Sequence, residues 1–276
     1  MRFGCQTYSW EMMGDKWRGT QDDILDTVAA AGYDGIEFSN NRIGPYWERP
    51  RDLEKALADR GLKLAAFAYA TTGFTDPARY EQDLAGADRA LELADHFGCV
   101  LGLGGPSSDS RDNYDAKLAQ AIRFYLEVTK RADKAGVTAA VHPHSHHTSL
   151  ALTADEYDRL LSATAQSGIR FNPDSGHILR GGQDPLDCFK RYRDRIAHVH
   201  LKDVTAEGKW VRMGNGSADF PGLFDWLGQI GYSGWVVIEE ESDSVWQDVG
   251  AAVAANCQYV RSVEMCRRQD LIRRPV

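Results

Sequence analysis

Short apolar runs alternate with longer amphipathic segments along the chain, and this alternation restricts the possible folds more than any other feature of the sequence. We predict strands from the apolar runs at residues 3–8, 35–38, 62–68, 99–103, 137–142, 169–171, 196–201 and 235–239. We predict helices from the segments that follow them, at residues 22–31, 52–60, 77–97, 114–135, 153–165, 185–192, 220–230 and 245–268. Strands that alternate with helices in this way form parallel sheets with the helices outside.

Helix-end signals support these boundaries. Gly98 and Gly136 directly follow the two longest helical segments, and glycine readily takes the left-handed conformation that ends a helix. Thr153 and Glu156 have the spacing of a capping box. Eight strand–helix units predict an α/β protein, a single-domain (β/α)8 TIM barrel over residues 1–276. An open doubly wound sheet is the main alternative, but no GxGxxG motif follows the first strand.

The composition disfavours several classes of protein. A formal net charge of −8 argues against a general binder of nucleic acid or of acidic membranes, because such proteins need a basic surface. No apolar run is long enough for a transmembrane helix, and residues 1–5 lead into a strand rather than a signal peptide. The five cysteines are scattered and form no CxxC pair, so we expect reduced thiols in a cytoplasmic protein.

The seventh predicted strand carries an unusual set of polar residues. Alternate residues of a strand share one face, so His198, His200 and Lys202 point to the same side. An ordinary core strand would not bury two imidazoles and an ammonium group, because each needs a partner, a metal or water. The end of this strand is therefore predicted to form the floor of a site.

Polar side chains also stand at the ends of the neighbouring strands, where barrel enzymes build their sites. His142 ends the fifth strand, Asp174 follows the sixth and Glu239 ends the eighth. Together with His200 they would form a mixed nitrogen and oxygen site for a divalent metal. Mn²⁺ is the expected ion, with Co²⁺, Mg²⁺, Zn²⁺ and Fe²⁺ as alternatives. The competing interpretation is that each histidine is a hydrogen-bonded core residue.

Other polar and aromatic residues near the strand ends have two interpretations each. Glu37 could support the site or be structural, and Glu240 and Glu241 are expected to be solvated or salt-bridged. His146 could bind substrate or belong to a polar loop. Trp10 could form part of an apolar wall over a ring-shaped substrate or belong to the core.

The motifs at these positions resemble those of the xylose isomerase-like TIM barrel superfamily of sugar phosphate isomerases and epimerases. The similarity extends from residues 32–37 to residues 231–235 and includes the segments 142–144, 174–177 and 194–204. The superfamily typically holds its metal with Glu, Asp, His and Glu. Asp174, His200 and Glu239 match the last three, whereas His142 stands where the first Glu is expected.

Within the superfamily the motifs resemble those of the inosose dehydratase family and, in fold and metal site, those of the C-glycoside deglycosidases. The resemblance implies a divalent-metal-dependent lyase that acts on a keto-sugar or keto-inositol by removing an α-proton and expelling a β-leaving group. It also implies a small carbohydrate substrate. A homo-oligomer is expected, and a complex with a small second subunit, as the deglycosidases have, is the alternative.

The residues suggest roles in such a reaction. We expect His144 to be the base, with His177 as the competing candidate, and Lys202 to stabilise the enolate or to protonate the leaving oxygen. Arg212, Trp10 and His146 are the predicted substrate-binding residues. The alternative is a metal-dependent isomerase or 3-epimerase that uses Glu239 and an imidazole as two bases. A sugar-binding protein without catalytic activity is a third possibility.

Overall fold

The computed structural model describes residues 1–273, and its largest sheet is a parallel barrel of eight strands. The first seven barrel strands are β1 Arg2–Gln6, β2 Gly35–Ser39, β3 Lys63–Tyr69, β4 Val100–Gly104, β5 Ala139–His142, β6 Arg170–Phe171 and β7 Val199–Leu201. A small antiparallel hairpin follows, formed by β8 Asp203–Val204 and β9 Trp210–Val211, and the eighth barrel strand is β10 Trp235–Ile238. The strand order is β6-β5-β4-β3-β2-β1-β10-β7.

The two outermost strands of that order meet and close the barrel. Parallel bridges join Phe171 to Ile196 and Asp174 to His200. The amide of His200 donates to the carbonyl of Pro173 at 2.9 Å. Pro173 has no N–H to contribute to a ladder, and β6 accordingly ends before it. The predicted (β/α)8 barrel is therefore confirmed.

Helices surround the sheet. They are α1 Tyr8–Met13, α2 Gln21–Ala30, α3 Pro50–Asp59, α4 Tyr80–Phe97, α5 Tyr114–Ala135, α6 Ala154–Ala163, α7 Ser175–Arg180, α8 Pro185–Arg191, α9 Phe220–Gln229 and α10 Val249–Arg273. The expected helices are present with small shifts. The helix predicted from residue 77 begins at Tyr80, and the last helix begins at Val249 after a 3-10 turn. The sequence analysis missed α1, α7 and the hairpin, which all lie in loops after strands.

The helix ends have the predicted chemistry. Gly98 and Gly136 take φ values of 58° and 72°, so both end their helices in the left-handed conformation. The Thr153 hydroxyl accepts from the Glu156 amide and completes the capping box. These caps fix where α4 and α5 end and where α6 begins.

A core of apolar side chains lies between the helices and the sheet. Phe124 of α5 is fully buried, and its ring stacks on that of Phe74 with centroids 4.3 Å apart. Replacing a buried phenylalanine of this kind by alanine typically costs about 3–5 kcal/mol of stability. The core keeps the strand ends rigid, which is needed to hold polar side chains in a site. Among the described helices, none combines the length and apolarity that a bilayer crossing requires.

Candidate active site

A cavity of about 150 Å³ opens at the carboxyl ends of the barrel strands. Residues from β1, β2, β3, β4, β5 and the loops after β6 and β10 line it. A larger cavity of about 460 Å³ lies at the opposite end, between residues such as Arg2, Lys63 and Trp235. Barrel enzymes place their chemistry at the carboxyl ends of the strands, so the smaller cavity is the candidate active site.

Four buried side chains could hold a metal ion at this end of the barrel, and two of them, His142 and Glu239, line the cavity. His142, Asp174, His200 and Glu239 each offer one ligand atom, and these atoms all lie within 4.8 Å of one another. We call this set the ligand cluster. Within the described residues, His142 Nε2 and Asp174 Oδ2 are buried without a hydrogen-bond partner, and they lie 3.6 Å apart. Unpartnered buried groups are costly, so a cation between them fits the observed arrangement.

Local structure orients the Asp174 carboxylate. Asp174 caps the N-terminus of α7, where its Oδ1 accepts the amide of His177 at 2.9 Å. This bond leaves Oδ2 facing His142. Burial opposes ionisation of Asp174, but Lys202, His177 and His142 together outweigh it and hold the pKa of this carboxyl well below its usual range. The cluster therefore contains a carboxylate with one oxygen hydrogen-bonded to the backbone and the other without a hydrogen-bond partner among the described residues.

A buried ammonium group lies beside the cluster. The Nζ of Lys202 donates to Glu239 Oε1 at 2.9 Å and also contacts the carboxylate of Glu241. Burial opposes the charge on Glu239, yet Lys202 and His200 hold its pKa well below the usual range. Burial raises the pKa of Glu241 to about 7 despite the adjacent ammonium. The predicted salt bridge of Glu241 is thus present.

His200 lies between two carboxylates. Its Nδ1 is 3.1 Å from Glu239 Oε2, and its Nε2 is 2.9 Å from Glu37 Oε2. The same oxygen of Glu37 lies 2.6 Å from His198 Nε2. Burial disfavours the charged imidazole of His200, but Glu37 and Glu239 raise its pKa to about 10. The predicted common face of His198 and His200 is confirmed, since both rings contact the same oxygen of Glu37.

The imidazoles of the β5 and β6 loops lie on one side of the cavity. His144 lies beside His142 and His177, with ring centroids 4.7 Å and 5.1 Å away. Burial and the nearby His142 lower the pKa of His144 well below its ordinary value, so its ring is neutral at pH 7. His177 Nδ1 accepts from the Ser145 amide at 3.1 Å, and its Nε2 lies 3.2 Å from Lys202 Nζ.

Two glycines allow the loops to pack this closely. A Cβ on Gly105 would lie 2.6 Å from the Cα of Pro143, in the loop that carries His144. A Cβ on Gly176 would lie 2.8 Å from the indole of Trp210. Trp210 belongs to the β8–β9 hairpin, and its ring lies 4.8 Å from Lys202 Nζ. The hairpin thus covers the buried ammonium.

Not every predicted site residue reaches the cavity. The predicted residues that line it are His142, His144, His146, His177 and Glu239. Asp174, His200 and Lys202 are buried beside these residues and are not among those that line it. Trp10 is instead buried in the hydrophobic core, and Arg212 is exposed just after β9, so neither is among the cavity-lining residues.

Glu240 was expected to be solvated or salt-bridged, and this prediction was wrong. Glu240 is buried and accepts from Asn256 and from the Ser242 amide. Its burial follows from those two neutral donors, which satisfy its oxygens without solvent.

The sequence analysis also missed several lining residues, namely Gln6, Tyr8, Glu11, Asn41 and Asn172. Gln6 and Asn172 stand at or just after strand ends, so the rule that found Glu239 could have found them. Glu11 lies on α1, a short helix that carried no clear pattern.

Comparisons with known proteins agree with this architecture. The family model described as "Xylose isomerase-like TIM barrel" matches residues 25–269. An inosose dehydratase from Geobacillus kaustophilus is 29% identical over 280 residues, covering 88% of each chain. The Escherichia coli 3-keto-D-glucoside 4-epimerase YcjR has a TM-score of 0.78 at 16% identity, covering 95% of this chain and 99% of its own.

A probable 3-DHS dehydratase from Bacillus anthracis, AsbF, has a TM-score of 0.77 at 16% identity and covers 95% of this chain and 99% of its own. These structural likenesses show the fold alone, and the fold carries both dehydratases and epimerases. With a family model spanning most of its length, the chain belongs to the xylose isomerase-like TIM barrel family.

Proposed function

We propose that this protein is a divalent-metal-dependent lyase that eliminates water, or another β-leaving group, from a keto-inositol or keto-sugar. One observation carries the proposal: the buried ligand cluster lies next to a neutral imidazole and a buried ammonium group. The similarity to proteins named inosose dehydratase supports a keto-inositol as substrate.

His142, Asp174, His200 and Glu239 would hold the metal. Two imidazoles and two carboxylates suit Mn²⁺, and also Fe²⁺, Co²⁺ or Zn²⁺. When bound, the ion would act as a Lewis acid that polarises the ketone of the substrate. The two unpartnered atoms, His142 Nε2 and Asp174 Oδ2, are the observation that supports this assignment.

His144 is the proposed base. Both nitrogens of His177 have close neighbours, the Ser145 amide and Lys202 Nζ, whereas the His144 ring has no hydrogen bond within the described residues. Because burial keeps His144 neutral, one of its nitrogens has a free lone pair at pH 7. A base must be able to accept a proton from substrate without first breaking other contacts, so His144 is favoured over His177.

Lys202 would complete the elimination. His144 takes the α-proton, the electron pair of that C–H bond forms the new double bond, and the β C–O bond breaks. The leaving oxygen takes a proton from the Lys202 ammonium by way of Glu241, which lines the cavity and contacts Lys202, and departs as water. Glu239 and Glu241 hold this ammonium in place. His144 then releases its proton to solvent, and Lys202 regains a proton from solvent.

The cavity favours a compact polyol as substrate. Its volume of about 150 Å³ is below the roughly 300–1,000 Å³ of pockets for drug-sized ligands, and suits one sugar-sized ring without an aglycone. Asn172 lines it with both amide atoms buried and unpartnered within the described chain. The carboxylate of Glu11 also lines it, with only Ser39 and Asn41 as hydrogen-bond donors among the described residues. Such groups match the hydroxyls of a polyol.

A metal-dependent isomerase or 3-epimerase is the second candidate. The observation that favours it is Glu241, which lines the same cavity and whose pKa is raised to about 7 by burial. A carboxyl with that pKa could act as a second acid or base. The alternative assignment of Glu239 as a base is weaker, because Lys202 and His200 keep its pKa low.

The test is an assay of Mn²⁺-loaded protein with 2-keto-myo-inositol, a 3-keto-glucoside and a 3-keto C-glycoside, with and without EDTA. Ultraviolet absorbance and mass spectrometry would follow the products. We expect EDTA-sensitive loss of water from the keto-inositol. Deuterium uptake from heavy water without loss of water or aglycone would instead establish the isomerase or epimerase.

Two variants test the assigned base. His144→Ala should lower kcat at least 100-fold while Mn²⁺ remains bound, because general-base catalysis contributes about 10²–10⁴-fold. His147→Ala is the matched control, since His147 is exposed in the same loop and does not line the cavity. If His144→Ala retains turnover and His177→Ala loses it, the base is His177.

A further inference from the structure

Glu37 lies beneath the ligand cluster and joins two imidazoles. A single oxygen, Oε2, is 2.6 Å from His198 Nε2 and 2.9 Å from His200 Nε2. All three side chains are about 1% exposed. Glu37 comes from β2, whereas His200 comes from β7, so the contact crosses the interior of the barrel. Burying these polar groups costs free energy unless they are hydrogen-bonded, paired with a charge or bound to a metal.

The contact decides which nitrogen of His200 can face a metal. Nε2 is engaged by Glu37, so Nδ1 is the nitrogen that faces Glu239, at 3.1 Å. A histidine that binds a metal usually donates its other ring N–H to a carboxylate or carbonyl. That bond fixes the tautomer and the orientation of the ring, and it makes the ligating nitrogen more basic.

His198 has a different relation to the cluster. Its Nε2 contacts Glu37, while its Nδ1 is buried without a partner in the described part of the chain. Neither nitrogen of its ring hydrogen-bonds to Asp174 or to Glu239 within residues 1–273. The His198 ring also packs edge-on against that of His200, with centroids 5.4 Å apart. Its hydrogen-bonded link to the site passes through Glu37, whose carboxylate it holds in the position that meets His200.

We propose that Glu37 and His198 are a positioning pair that holds His200 with Nδ1 turned towards the ligand cluster and so sets the affinity of that cluster for a divalent cation. The proposal rests on the metal site of the proposed function. Two different roles would be compatible with the same contacts. In one, the pair only fills the barrel interior. In the other, Glu37, His198 and His200 form a second cation site, since their ligand atoms also lie within 4.8 Å of one another.

The experiment measures Mn²⁺ affinity and stoichiometry by isothermal titration calorimetry on the full chain, stripped of metal with EDTA. Glu37→Gln keeps the size of the side chain but removes the charge. We expect one Mn²⁺ per chain for the wild type and a 10- to 100-fold weaker affinity for Glu37→Gln. Asp83→Asn is the control, because Asp83 is buried, accepts from the Thr72 and Gly73 amides, and does not line the cavity.

Variants of His198 test the pair even if Glu37→Gln does not fold. His198→Leu removes the donor to Glu37 and should weaken Mn²⁺ binding about 10-fold, at the lower end of the 10- to 100-fold range of outer-shell substitutions. His198→Gln retains an N–H donor and should bind within about threefold of the wild type. Because His198 acts through Glu37, Glu37→Gln/His198→Leu should bind no more weakly than Glu37→Gln alone.

Several outcomes would overturn the proposal. Unchanged Mn²⁺ affinity in Glu37→Gln and in His198→Leu, with a stability loss like that of Asp83→Asn, would make the pair structural. Two Mn²⁺ ions per chain, one of them lost in Glu37→Gln, would make Glu37 itself a ligand. A wild type that binds no divalent cation would overturn this proposal and the metal site together. Tight Mn²⁺ binding without any lyase or epimerase activity would overturn the proposed function only.

Discussion

Replacing Lys202 by methionine should destabilise the protein strongly, even though methionine fits the same space. The Lys202 side chain is 1% exposed, and its Nζ donates to Glu239 at 2.9 Å and contacts Glu241. Removing the ammonium leaves the buried carboxylates of Glu239 and Glu241 close together, with the His200 imidazole as the remaining cationic partner of Glu239 and none for Glu241 among the described residues. Breaking a buried ion pair by removing one partner costs about 3–5 kcal/mol. Methionine keeps most of the apolar contacts, so the loss of packing adds little.

The free energy of unfolding gives the direct measurement. Urea unfolding of EDTA-treated Lys202→Met at pH 7 should show the loss of about 3–5 kcal/mol. The melting temperature should fall by roughly 6–20 °C, since each kcal/mol shifts a chain of this size by about 2–4 °C.

Lys209→Met provides the matched control for the same measurement. Lys209 pairs with Asp243 at 2.8 Å, but the two side chains are 66% and 74% exposed. Exposed pairs contribute about 0–1 kcal/mol. If Lys202→Met lost less than about 1 kcal/mol, as Lys209→Met should, the argument that a buried ammonium neutralises this site would be refuted.

Three further outcomes follow from the structure. Burial opposes ionisation of Glu264, but Arg267 and Arg268 lower its pKa to about 2. Because Arg268 is 62% exposed and its charge is screened by solvent, Glu264→Gln should lose about 1–2 kcal/mol at pH 7. Urea unfolding should show this difference shrinking as the pH falls from about 4.3 towards 2. Gly176→Ala should cost about 1–3 kcal/mol in the same assay, because its Cβ would lie 2.8 Å from Trp210; unchanged stability would contradict this contact. Native protein should expose one fast-reacting thiol to a disulfide reagent, that of Cys266, and urea should expose the buried cysteines.

The barrel and most of the polar residues at its strand ends could be predicted from the sequence, because both depend on the local geometry of strands. Strand phase is a local property, so His198, His200 and Lys202 could be placed on one face without knowledge of distant contacts. Parallel strands of a barrel end on the same side, which brings Asp174 and Glu239 to the same place.

The sequence could not predict what depends on long-range contacts or on loops. Glu37 remained ambiguous because its partners His198 and His200 lie 161 and 163 residues away. Trp10 was expected over the substrate, but the loop after β1 folds into α1, and this helix turns the indole into the core. Short helices of this kind are stabilised by tertiary packing more than by local propensity, so their sequence carries little signal.

The imidazole at position 142 bears on which reaction the site favours. The resemblance to the family places a Glu here, and a Glu would add one more negative charge to a cluster that already contains Asp174 and Glu239. Burial lowers the pKa of His142, so it would be a neutral ligand in the proposed metal site. One unit charge at about 4 Å corresponds to roughly 4 kcal/mol at an effective dielectric constant of 20. A bound cation would therefore keep more of its charge to stabilise the negative charge that develops when His144 removes a proton. Having His142 in place of that Glu also removes one carboxylate base. The site therefore favours a single deprotonation followed by elimination over an epimerisation that needs two bases.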